Sequence, residues 1–258
     1  MDVAQIMCVT GRPKRPRGVL DTGPAWLSGY LDGNGVVDAL AAGAMTGIDA
    51  INKTFSVIGY LTPISGGATY WASTRSAATA MRMFTYIKAG GNWPFQPRMA
   101  GSWGGTNAGE CFVPAGLNPA IAAVCVTVCR TAGSAYIYGQ IVTSSMSSDV
   151  FAPMPNESAA FSSDLVLGSL NGTAMLVGRM WGLVVIQAEP TVTELRSSLS
   201  LPPWQVWSPS VLMRAYNPAG AYTAGGDYIP DLAESHGGPA TAVPALLRNG
   251  SVGSVVVP

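Results

Sequence analysis

A hydrolytic triad needs an imidazole base, and the chain offers a single histidine, His236, within Ser235-His236-Gly237-Gly238. Nothing in the sequence places a serine nucleophile on a sharp turn ahead of a helix, so no catalytic residue is assigned and the chain reads as a non-enzyme. The four cysteines are Cys8, Cys111, Cys125 and Cys129. A zinc site wants clustered Cys and His ligands, whereas here Cys125 and Cys129 stand four apart, which on a strand puts both on one side. They read as buried reduced thiols. Asp32-Gly33-Asn34-Gly35-Val36-Val37-Asp38 imitates the start of a calcium loop, but the fifth position is Val36, the sixth is Val37 and the twelfth is Gly43. Ligands and the turn glycine are missing, so the segment is expected to be a surface turn. The sequence implies no metal and no cofactor.

The aromatic residues offer binding chemistry instead. Trp71, Trp93 and Trp103 fall in or near a loop-rich stretch, with Asn92-Trp93-Pro94-Phe95 and Ser102-Trp103-Gly104-Gly105 around two of them. An exposed indole stacks on a sugar ring or anchors a protein interface, and the ordinary alternative is packing at the edge of a core. Trp181, inside an apolar run, is expected in the core, while Trp204 and Trp207 are expected to pin the returning chain. A second candidate site is electrostatic. Arg12, Lys14, Arg15 and Arg17 put four of the fourteen basic residues into the eight positions 11–18, held extended by Pro13 and Pro16. Such an arm either straps onto an acidic partner or is simply solvated, and no aromatic is interleaved for base stacking, which makes nucleic acid a poor partner.

The elements that must position these groups are strands. Ala, Val, Thr, Ser and Gly dominate while the good helix formers Lys, Glu and Gln are scarce. Strand-like runs appear at Phe55–Pro63, Thr69–Thr74, Met81–Lys88, Ile121–Arg130, Ala135–Val142, Asp164–Gly168 and Gly178–Ile186, separated by Gly, Pro or Ser. Ile121–Arg130 is nearly continuous in apolar residues, as a strand buried on both faces must be. Thr131-Ala132-Gly133-Ser134 then turns the chain into Ala135–Val142 as a hairpin. One helix is expected after Thr191, where Glu194 completes a capping box. Residues 200–258 lose periodicity.

In that order, the segment Thr54–Leu199 resembles the concanavalin-like, laminin-G-type jelly roll. Phe55–Pro63 is similar to the family's opening strand, Ala123–Cys129 with Gly133–Gly139 to its central hairpin, and Leu165–Ser169 with Gly178–Ile186 and Thr191–Leu195 to its closing signature. Leu201-Pro202-Pro203-Trp204-Gln205-Val206-Trp207-Ser208-Pro209 resembles a segment that ends laminin-G-like proteins of tailed phages. The resemblance implies an all-β antiparallel jelly-roll sandwich with one short helix and extended terminal arms. Its domains would be 1–50 (arm and lead-in), 51–200 (jelly roll) and 201–258 (irregular extension). The family's acidic calcium positions are replaced by Met180-Trp181-Gly182-Leu183, and the alternating carboxylates that its glycosidases use to reach the 5–5.5 Å spacing of retention are missing.

Charge completes the reading. Only 11% of the 258 residues are charged and the formal net charge is zero, against about 25% charged in an ordinary domain. Little repulsion keeps such copies apart, which favours life inside an assembly. With no secretory leader visible and no long apolar run, the expected place is the virion, assembled in the host cytoplasm, without a membrane partner. The main expectation is a capsid decoration protein that grips other virion proteins, the major capsid protein or tail components, as a homo-oligomer. The alternative is a tail-associated adhesin that binds a host glycan.

Overall fold

The computed structural model describes residues 25–27, 30–34, 39–44, 53–63, 69–74, 82–87, 93–100, 106–114, 121–131, 133–154, 164–167, 177–217, 228–229, 231–237, 245–248 and 255–256. A 3-10 turn at Ala25–Leu27 precedes β1 (Tyr30–Asn34) and β2 (Ala39–Ala44). The long β3 (Thr54–Pro63) leads to β4 (Thr69–Thr74), β5 (Arg82–Ile87), β6 (Trp93–Ala100), β7 (Thr106–Asn107) and β8 (Cys111–Val113). The central hairpin is β9 (Ala122–Thr131) and β10 (Ser134–Val142), followed by β11 (Ser147–Pro153), β12 (Asp164–Leu167) and β13 (Val177–Ile186). Two short helices, α1 (Val192–Ser198) and α2 (Pro203–Val206), precede β14 (Leu212–Tyr216), β15 (Tyr228–Ile229), β16 (Ala245–Arg248) and β17 (Val255–Val256).

These strands make two antiparallel sheets, the sandwich expected from the jelly-roll resemblance. The first runs β11-β10-β9-β3-β13-β1-β17 with β14 also on β13, and the second runs β15-β16-β2-β12-β4-β5-β6-β7 with β8 on β6. Between them lies a core of Phe55, Val57, Val124, Val126, Val128, Ile137, Ile141, Leu183 and Val185 from the first sheet against Phe95, Cys111 and Val113 from the second. A second core lies on the outer face of the first sheet. There Ile58, Tyr60, Ala123, Cys125, Val142, Val184 and Ile186 are covered by Trp26, Leu27, Leu195, Trp207 and Ala233. Buried on both faces, β9 has to be apolar at nearly every position, and its first nine residues are all buried.

The capping box forms as read. The Thr191 side chain accepts from the Glu194 amide, and the Glu194 carboxylate accepts from the Thr191 amide at 2.7 Å. The β9–β10 turn closes at Gly133, whose φ of +81° suits a residue without Cβ.

Other expectations differ from what forms. Asp32–Asn34 is not a surface turn but part of β1, in register with Val177–Arg179. There are two short helices instead of one, because Pro202 sets an extended entry and Pro203 a helical first position for α2. Trp181 is only half-buried. It is the extra residue where the β3–β13 register shifts between Met180 and Gly182, and its indole donates to Thr62 Oγ1 at 2.6 Å. Trp93 lies in a strand, β6, despite Pro94 and Pro97, because β6 still pairs with β5 on one side and with β7 and β8 on the other. The stretches read as lead-in and irregular extension also supply strands: β1 and β14 both pair with β13, β17 pairs with β1, and β2, β15 and β16 belong to the second sheet.

Candidate functional site

Register turns the outer face of the first sheet into four rows across β3, β9, β10 and β11. They are Thr54–Cys129–Tyr136–Pro153, Ser56–Thr127–Tyr138–Phe151, Ile58–Cys125–Gln140–Asp149 and Tyr60–Ala123–Val142–Ser147. Residues opposite one another in an antiparallel pair share a face, so each row is a line of neighbouring side chains. The apolar side chains of the last two rows on β3, β9 and β10 lie beneath the helical cap. On the first two rows Tyr136, Tyr138, Phe151 and Pro153 emerge beside it, while Ser56, Thr127 and Cys129 stay buried.

There they form an aromatic shelf. Tyr136 and Tyr138, alternate residues of β10, are half-buried, and Phe151 opposite Tyr138 remains 56% exposed. The Tyr136 and Phe151 ring centres are 5.1 Å apart at 41°. Each tyrosine hydroxyl donates to a carboxylate: Tyr136 to Glu189 Oε2 at 2.5 Å and Tyr138 to Asp149 Oδ2 at 2.6 Å. Burial, followed by these acceptors, moves both phenol pKa values above their ordinary range, so the hydroxyls stay protonated and keep donating. Glu189 stands immediately before Pro190 and the α1 cap, so the helix that closes the second core also sets one wall of the shelf.

The shelf rests on a short polar ladder. Ser56 Oγ donates to the Ala188 carbonyl at 2.6 Å and lies 2.7 Å from Thr127 Oγ1, which ties the bend before Glu189 to β3 and β9. Thr54 Oγ1 donates to Cys129 Sγ at 3.3 Å. Burial alone would raise the Cys129 pKa, but hydrogen bonds from Thr54, Thr131 and Tyr136 outweigh it and the net shift is downward. Cys111 and Cys125 lack enough such help, and burial pushes their thiols up to about 12. Cys111, Cys125 and Cys129 are free and buried.

None of the binding candidates singled out from sequence belongs to the four rows. Arg12, Lys14, Arg15, Arg17, Trp103 and Cys8 fall outside the described residues. Trp71 and Trp93 belong to the second sheet, on strands separated by β5, with Trp71 at the register shift of the β4–β5 pair. His236 stacks on Trp204, ring centres 3.7 Å apart at 19°, and its Nδ1 is 3.0 Å from both Ser235 Oγ and the Leu232 carbonyl. Trp207 is buried in the second core and Trp204 packs against it. Among the described residues no group of three or more His, Cys, Asp or Glu side chains is placed to hold a metal ion. No helix among them is long and apolar enough to cross a membrane. The shelf was within reach of sequence reasoning only in part: Tyr-x-Tyr in a hairpin strand puts two aromatics on one face, but no local signal links them to Glu189.

Comparison with known proteins bears on the fold. No family model matches the sequence, and no curated protein matches it either. Among solved structures, the enzymatically active domain of tailspike protein 2 from bacteriophage CBA120 superposes with a TM-score of 0.50 at 12% identity, covering 70% of this chain and 29% of that one. The SAP-like pentraxin of Limulus polyphemus gives 0.44 at 13% identity over 67% of this chain and 81% of that one. The CBM40 of the Ruminococcus gnavus IT-sialidase, bound to α2,3 sialyllactose, gives 0.42 at 12% over 66% and 97%. The chain thus spans about 29% of the tailspike it resembles. The first likeness places the chain in an all-β, jelly-roll-like fold.

Proposed function

We propose that this chain is a non-enzymatic, glycan-binding adhesin domain associated with a phage tail, and that the Tyr136–Tyr138–Phe151 shelf is its binding surface. One observation carries the reading: the exposed Phe151 ring and two half-buried tyrosines lie directly beside two exposed carboxylates on the outer face of the first sheet. A saccharide has an apolar C–H face and a rim of hydroxyls, and it needs this combination of ring and acceptor. The fold likeness to a phage tailspike domain and the tailed-phage resemblance of Leu201–Pro209 support placing it on a virion.

The capsid-decoration reading, held by arm exchange, has less support. Its basic arm lies outside the described residues, and the lead-in and extension strands β1, β14 and β17 pair within the chain's own first sheet. Titration with glycans immobilised from candidate host surfaces tests the proposal. Phe151→Ala is expected to weaken binding at least about fivefold, the scale of an interface anchor, while Phe151→Trp retains it and both variants melt like the parent. Equal binding by Phe151→Ala would remove the shelf from the site.

A further inference from the structure

We infer that the shelf selects glycans by charge and hydrogen-bond polarity, accepting neutral and amino-bearing saccharides and rejecting those with uronic or sialic carboxylates. The inference rests on the glycan-binding reading and specifies its ligand class.

The donor–acceptor inventory carries it. Tyr136 and Tyr138 each have one hydroxyl proton, and the protein's own groups already take both: Glu189 and Asp149 accept them, with Cys129 Sγ a second acceptor beside Tyr136. What these four groups still offer a ligand is acceptor capacity: the Tyr136 oxygen and the second oxygens of Glu189 and Asp149, the Tyr138 oxygen already facing a hydrogen bond from Gln140. A ligand seated here has to supply the hydrogens. Sugar hydroxyls and ammonium groups do so, and a carboxylate cannot.

Electrostatics points the same way. Glu189 and Asp149 bring two negative charges to the shelf, and none of the sixteen residues in the four rows is basic. The described cations nearest in sequence are occupied or turned away. Arg196 on α1 donates to the Thr143 carbonyl at 3.3 Å, beyond the capped end of the rows. Arg130, next to Cys129 on β9, points to the opposite face of the sheet and is buried. Lys53 lies outside the rows, where its carbonyl accepts from the Arg130 amide. An anionic sugar would therefore meet two like charges with no cation among the described residues of the four rows to offset them, and like-charge juxtaposition at an interface is strongly disfavoured.

A printed array holding neutral, amino-bearing and carboxylate-bearing glycans, probed with the full chain at low and at physiological salt, tests this. Binding is expected among the neutral and amino-bearing glycans, with acidic ones at least about tenfold weaker. The double variant Asp149→Asn/Glu189→Gln keeps an acceptor for each tyrosine hydroxyl while removing both charges. It should narrow the gap between acidic and neutral glycans at least about threefold at low salt. Acidic glycans among the strongest ligands, or an unchanged gap in the double variant, would overturn the inference while leaving glycan binding intact. Absence of binding to every class would instead bring down the reading on which it rests.

Discussion

Cys125 and Cys129 share one strand and one face, yet their surroundings give them opposite chemistry. Cys125 is sealed beneath the cap and its thiol is held protonated, with a pKa near the about 12 also reached by Cys111. Cys129 lies under the edge of the shelf, 4% exposed, where three hydrogen-bonding neighbours favour the thiolate. The thiolate is the nucleophile, so a lowered pKa gives faster alkylation and a raised one slower. At pH 8 the native chain should be alkylated at Cys129 at least about tenfold faster than at Cys111 or Cys125, measured by peptide mass spectrometry over time. Equal rates at the three positions would contradict the hydrogen-bond arrangement around Cys129. The shared face of the two cysteines was legible from their four-residue spacing. Their different chemistry was not, because it depends on Thr54, 75 positions away from Cys129 in the chain.

At the scale of elements, what holds the sandwich together beneath the shelf is a close approach of β10 to β6. A Cβ built on Gly139 would lie 2.3 Å from Pro97 Cγ and 3.2 Å from the Phe95 ring. The proline ring is stiff and Phe95 is fully buried, so neither can yield cheaply. Gly139→Ala is expected to destabilise the fold by about 1–3 kcal/mol, read as an earlier midpoint in denaturant unfolding. A midpoint equal to the parent's would show that the two sheets are farther apart than described. The glycine was visible in the Tyr136–Gly139 pattern, but the reason for it was not, since β6 carries two prolines and reads as a loop. Strands that announced themselves were those with long β-branched or aromatic runs, such as β3, β9 and β13. Among those that did not were the alanine-rich β2 (Ala39–Ala44) and the serine-led β11 (Ser147–Pro153), where pairing with a neighbour decides the conformation and local propensity is weak.

For the whole molecule, low charge was the sequence feature that suggested assembly, and the described architecture redistributes that meaning. Much of the apolar content is absorbed by two cores, one between the sheets and one beneath the helical cap. The cap itself was half legible: the capping box at Thr191 fixed where α1 starts, and the Trp204 and Trp207 pair hinted at a returning chain. The shelf beside it was hidden because its parts come from β10, β11 and the approach to α1, brought together only by register. Of the tryptophans favoured from sequence, Trp71 and Trp93 lie on the second sheet and Trp103 falls outside the described residues.

Hydrogen exchange of the full chain, with and without a saturating glycan identified on the array, tests the central claim most directly. The account predicts protection confined to residues 134–140, 147–153 and the segment around Glu189. Protection centred on 69–74 and 93–100 instead, around Trp71 and Trp93, would contradict it.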